Sequence, residues 1–99
     1  MNDYIILMLD DTANPDAASS ALWESYITGL RQSGQFDGGS SIGQGAVYRK
    51  GAPADSASLY VTGYLRVRAA SMDDAARFLI GNPHYEAGGG VEIRELPPD

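Results

Sequence analysis

His84 is the single histidine of the chain, and imidazole is the side chain whose ordinary pKa suits proton transfer near neutral pH. It stands in Asn82-Pro83-His84-Tyr85-Glu86, just ahead of the run Gly88-Gly89-Gly90. An acid brought near by the fold, such as Asp37, would orient the ring and complete an acid–base pair. The plainer reading is a loop histidine that fixes a turn or touches a partner subunit. A lone histidine cannot build a zinc site without other ligands, and no HExxH-type spacing exists, so no metal site is expected. Cysteines are absent, which removes disulfides, thiolate metal sites, Cys nucleophiles and Fe–S clusters.

Three arginines form a second group. Arg66, Arg68 and Arg94 fall at alternating strand positions and can converge on one sheet face. Guanidinium forks bind carboxylates with two hydrogen bonds, so Arg66 or Arg94 would hold a small anionic ligand. The competing and simpler role is ion pairing with Glu92 or with acids of another subunit. Tyr64 and Tyr60 beside them could shape a pocket or stack on a ring, although such tyrosines more often fill an interface. The stretch Asp37-Gly38-Gly39-Ser40-Ser41-Ile42-Gly43-Gln44-Gly45 is glycine-rich. It lacks the Lys-Ser/Thr ending of a P-loop, and it follows a helix and enters a strand, the reverse of a dinucleotide fingerprint. Its glycines suit a bulge or a close backbone approach, with Ser40 and Gln44 available to line a cavity. Trp23 reads as core or interface, with stacking on a ligand as the sharper alternative.

These residues need elements to position them. Tyr4-Ile5-Ile6-Leu7-Met8-Leu9 is a continuous apolar run of strand length, as expected where both faces are covered. Asp10 to Pro15 is a turn-rich loop. From Asp16 to Ser33 the pattern becomes helical, with Ala18, Leu22, Tyr26, Gly29 and Leu30 on one stripe that Trp23 and Ile27 widen. Asp16 or Ser19-Ser20 would cap its start and Gly34 its end. Gln35 to Ser41 reads as a flexible turn, and Ile42 to Tyr48 as a weak second strand interrupted by Gly43 and Gly45. Arg49 to Ser58 reads as a hairpin loop. Leu59 to Ala69 is the clearest strand: Val61, Gly63, Leu65 and Val67 alternate with Tyr60, Thr62, Tyr64, Arg66 and Arg68. Ser71 as N-cap and Asp74 at N3 open a second helix that runs to about Ile80. Asn82 to Gly90 is read as a loop, and Val91 to Leu96 as the last strand, stopped by Pro97-Pro98.

The order is β-α-β-β-α-β in one domain spanning residues 1–99, an α+β chain of ferredoxin-like arrangement with helices on one sheet face. The face of the third strand that carries Tyr60, Tyr64, Arg66 and Arg68 is too aromatic for plain solvent and too charged for a dry core. A second sheet packed there, supplied by a symmetric homodimer, accounts for the mixture, and the space between the sheets would take a small anionic or aromatic ligand.

Composition narrows the partners. The net charge is −6, from 13 acidic against 7 basic residues, and Lys50 is the sole lysine. Binding to nucleic acid or to an anionic membrane surface is not expected from such a balance. Met1-Asn2-Asp3-Tyr4 lacks the positive start of a secretion signal, and with the absence of cysteine this fits a cytoplasmic protein.

Several stretches resemble the YCII-related family, including its DGPF-type branch. They are the opening Tyr4-Ile5-Ile6-Leu7-Met8-Leu9, the Gly38-Gly39 entry to the second strand, Gly63-Tyr64, Met72-Asp73-Asp74-Ala75-Ala76, and Gly89-Gly90-Val91-Glu92-Ile93-Arg94. The resemblance spans nearly the whole chain and rests on the order of these pieces. It implies a dimeric α+β barrel in which two sheets face each other with helices outside. A His–Asp pair is suggested as catalytic in some members, and isomerase or lyase chemistry is associated with the wider fold group. This sequence has no histidine near its first strand or helix, and Asp55-Ser56-Ala57-Ser58 stands where the DGPF tetrapeptide would be.

Two functions from different classes follow. One is a small cofactor-free enzyme of isomerase or lyase type, moving a proton through His84 on a small organic acid or aromatic compound. The other is a non-catalytic module that binds a small molecule or a protein. A cofactor-free monooxygenase, with a tryptophan near its substrate, is a third and weaker reading.

Overall fold

The computed structural model describes all of residues 1–99. The opening apolar run and the two polar residues before it form strand β1, Asn2–Leu9. Helix α1 follows at Ser20–Gln32, after a single 3-10 turn at Pro15–Ala18. The Ser19 hydroxyl accepts from the Leu22 N–H, which satisfies one of the free donors at the helix start. Strand β2 is Phe36–Ser41, and two-residue strands β3 (Ala46–Val47) and β4 (Asp55–Ser56) pair as a small separate hairpin. Strand β5, Val61–Ala69, is the longest. Short helix α2 (Met72–Ala76) runs into a 3-10 turn at Arg77–Leu79, helix α3 is Pro83–Glu86, and strand β6 is Val91–Leu96.

The four long strands make one antiparallel sheet in the order β2-β5-β1-β6. This is a small α+β chain compatible with a ferredoxin-like fold. Its extents of 46 × 38 × 18 Å are those of a slab whose thinnest dimension holds two layers, sheet and helices.

Strand alternation decides what each face carries. Tyr4, Ile6 and Met8 of β1 and Leu65, Val67 and Ala69 of β5 turn to the helices and are buried. Leu30 of α1 and Ala75 of α2 complete this core, with Trp23, Tyr26, Ile27, Phe36 and Phe78 packed around it. Trp23 and Tyr26 meet edge to face, with ring centroids 5.7 Å apart. The Tyr26 hydroxyl donates to the Phe78 carbonyl and so ties α1 to the turn after α2. Burial pushes the Tyr26 phenol above its usual pKa, and the neighbouring Asn82 side chain opposes part of that shift.

Three sequence expectations are corrected. The second strand lies at Phe36–Ser41, in the stretch read as a turn, and not at Ile42–Tyr48. It is an edge strand built by main-chain pairing with β5, so it needs little side-chain signal. Gly39 lies so close to Tyr64 O and Leu65 that a Cβ there would clash, which explains a glycine in a paired strand. The second helix is α for only five residues and tightens to 3-10 at Arg77, short of the expected end at Ile80. Finally, Pro83–Glu86 is helical. Asn82 caps it by accepting from the Tyr85 N–H, and Pro83 takes the first helical position, where no N–H is needed. No helix is long and apolar enough to cross a membrane.

Candidate functional site

His84 is buried, with 3% of its side chain exposed, at the end of the sheet where β1 finishes and β5 and β6 begin. Helix α3 carries it there. The chain then turns back through Gly88–Gly90 into β6, with the Gly89 N–H donating to the His84 carbonyl. A Cβ on Gly89 would run into the imidazole, and one on Gly90 would run into the Asp11 carboxylate. The glycine run therefore lets the backbone close over both groups.

The acid beside His84 is Asp11, just beyond β1, with Oδ1 3.7 Å from Nε2. The same Oδ1 accepts from the Gly90 N–H at 2.8 Å. His84 Nε2 is shut off from solvent and has no hydrogen-bond partner. Buried polar atoms are nearly always paired, so an unpaired imidazole nitrogen facing a carboxylate marks a corner with unused hydrogen-bonding capacity. The two groups are exposed very differently. Asp11 keeps 48% of its side chain exposed, so solvent meets the carboxylate and the imidazole stands behind it.

Asp37, expected beside His84, lies at the other end of the sheet. It takes the Arg68 guanidinium at 2.9 Å, and Arg68 also donates to the Gly34 carbonyl. The pairing of β2 with β5 holds both residues there, out of reach of α3. Asp11 was legible only as one acid of a turn-rich loop. Its position directly after a buried strand was the one available signal.

Arg66 and Arg94 share a face, as expected, but not a point. Both lie directly across from Ile5, one on each side of β1. Two strand spacings separate them by roughly 10 Å. Arg94 is paired with Glu92 at 3.3 Å, while Arg66 makes no ion pair. Tyr64 and Glu92 flank Leu7 in the same way, and Ser40 lies beside Tyr64. This face carries no helix. Gln44 lies in the exposed segment between β2 and β3, apart from these residues.

Trp23 is elsewhere. It lines a cleft of about 590 Å³ between α1 and the β2–β5 side of the sheet, on the helix-covered face. Ser40 and Tyr64 also line this cleft, whereas His84, Asp11, Arg66 and Arg94 do not. The structure thus separates the expected site residues: His84 lies in a corner with Asp11, Arg66 and Arg94 on the open sheet face, Trp23 in the α1–β2 cleft, Asp37 beside Arg68 at the far end of the sheet, and Gln44 between β2 and β3. No group of three or more His, Asp and Glu side chains is arranged to hold a metal ion.

No family model matches the chain, and no curated protein matches it in sequence. Among solved structures, the chain is similar to 5-chloro-2-hydroxyhydroquinone dehydrochlorinase (TftG) from Burkholderia phenoliruptrix AC1100, determined in complex with 2,5-dihydroxybenzoquinone. The likeness covers 96% of this chain and 93% of that one, with a TM-score of 0.61 at 14% identity. At that identity the two share a fold, and this small α+β chain has the fold of a known enzyme.

Proposed function

We propose that this chain is a small enzyme of isomerase or lyase type that moves a proton on a small organic acid or aromatic compound, with Asp11 and His84 as its acid–base pair. One observation carries the reading: a buried imidazole whose Nε2 lacks any hydrogen-bond partner and faces a half-exposed carboxylate 3.7 Å away. The exposures set the roles. Asp11 exchanges the proton with the substrate, and the imidazole, 3.7 Å behind it, is the group placed to take up or return that proton. The Gly90 N–H fixes the carboxylate from the other side. In a lyase step the pair removes a proton as the neighbouring substituent leaves with its bonding electrons. The dehydrochlorinase of the same fold, which by its name removes hydrogen chloride from a hydroxylated ring, supports this class of chemistry.

The reading includes a homodimer of YCII-related type. Ile5, Leu7 and Leu9 of the central strand β1 are only half-buried on the face without helices. Asp3 and Glu92 share that face with Arg66, Arg68 and Arg94, so it carries both signs of charge. Such a face can meet its own copy about a twofold axis. Tyr64, Arg66 and Arg94 would then line the space between the two sheets.

The test is turnover of a panel of hydroxylated and chlorinated one-ring compounds and small organic acids. Asp11→Asn and His84→Ala should each lower the rate about 10²-fold or more while circular dichroism stays that of the wild type. An unchanged rate in either variant rejects the pair.

A further inference from the structure

The cleft between α1 and β2 has features of a ligand site in its own right. Trp23, Ile27 and Arg31 recur every four residues, so they form one stripe along α1, and all three line the cleft. Phe36 and Gly39 of β2 stand across from them, over a floor that includes Leu65. A volume of about 590 Å³ matches a small organic molecule, and half of the 16 lining residues are hydrophobic. The polar end is defined by charge. Arg31 takes part in none of the four ion pairs of a chain whose net charge is −6. Arg31 stands one turn beyond Ile27 on the stripe and lines the cleft with it. The Trp23 indole N–H is already given to the Ala17 carbonyl at 2.7 Å, so its ring serves as an apolar wall and not as a donor. One unpaired guanidinium at the end of an aromatic-walled slot is complementary to an aryl group carrying a carboxylate on a short tether.

We propose that the α1–β2 cleft binds an aromatic carboxylic acid, its ring between Ile27 and Phe36 toward Trp23 and its carboxylate on Arg31. The site is separate from the His84–Asp11 corner and does not depend on it.

Trp23 is the chain's single tryptophan, so its fluorescence reports on this cleft alone. The probe is 3-phenylpropionate, titrated into the full chain beside its neutral amide, 3-phenylpropanamide, with amide chemical shifts followed in parallel. A saturable fluorescence change is expected with the acid, together with shifts centred on α1 and β2. Arg31→Gln should weaken the acid about tenfold or more, and replacing the acid by the amide should do the same in the wild type. His84→Ala should leave the binding unchanged, so failure here and failure of the proton-transfer reading are separate results. Arg31 is exposed and forms no ion pair, so the Gln variant is expected to fold, and an unaltered dichroism spectrum checks this. Absence of saturation at about 10 mM, a dissociation constant weaker than about −3 kcal/mol of binding, overturns the proposal. So does equal affinity for acid and amide, an Arg31→Gln variant that binds as the wild type does, or shifts centred on His84 and Asp11.

Discussion

The two faces of the sheet are made from the same strands, yet the chain completes only one of them. On the helix side, Ile6 and Ala69 have no exposed surface and Val67 has 1%. On the other side, Ile5, Leu7 and Leu9 of β1 stay half-exposed, with Arg66 and Arg94 across from Ile5 and Tyr64 and Glu92 across from Leu7. An apolar run such as Tyr4 to Leu9 suits a strand covered on both faces. Helices α1 and α2 cover one of them, and no helix of this chain covers the other. The comparison teaches that β1 has the composition of a strand covered on both faces, while the helices of this chain cover only one.

Three changes test this difference, from the largest effect to the smallest. If the open face meets a second copy, Leu7→Asp places a carboxylate at the centre of the contact and association should be lost altogether. Sedimentation would show a dimeric wild type and a monomeric variant with the same dichroism spectrum; a wild type that is already monomeric at micromolar concentration removes the dimer. One residue earlier, Ile6→Ala should act on the fold itself. A fully buried isoleucine cut to alanine costs about 2–5 kcal/mol, read as a lower urea midpoint. A loss well below 1 kcal/mol would mean that the helix-side core is loose and the contrast between faces is weaker than drawn.

Tyr26→Phe gives the smallest effect and probes how α1 is fastened to that core. Loss of the hydrogen bond to the Phe78 carbonyl should cost about 1 kcal/mol near neutral pH. The pH dependence has a definite sign. The folded-state pKa is raised from the ordinary 10.0, so the unfolded chain ionises this phenol first. Wild-type stability should therefore be independent of this group below pH 10, then fall as the pH rises from there through the folded-state value. The Phe variant lacks that component, so the difference between the two proteins should shrink in alkaline solution. A constant difference from pH 8 to 11 would contradict the buried phenol.

The alternation Val61, Gly63, Leu65 and Val67 against Tyr60, Thr62, Tyr64, Arg66 and Arg68 announced a two-faced strand, and β5 has those two faces. The Ser19 and Ser71 caps were also readable, because a hydroxyl bonding to a free N–H three residues on is a local event. Strand β2 was not readable, since its partner is β5 and its own side chains hardly contribute. Helix α3 was hidden for a related reason: one turn of helix gives no periodicity, only the Asn82-Pro83 start.

The candidate site divides along the same line. His84 was picked out by residue type, and the glycines after it by their run, both of which need only the sequence. That Asp11 and not Asp37 stands beside His84 depends on β1 and β6 being neighbours, a pairing between residues some 80 apart in the chain. Likewise Trp23, Ile27 and Arg31 share a helix stripe by spacing alone, but only the packing of α1 over β2 makes a cleft beneath them. By itself the sequence determined which residues could do chemistry and which way local segments fold, because propensity, capping and alternation act over a few residues. The tertiary structure decided which of those residues meet and which surface is left uncovered, because contacts between distant segments are set by how the sheet and helices pack.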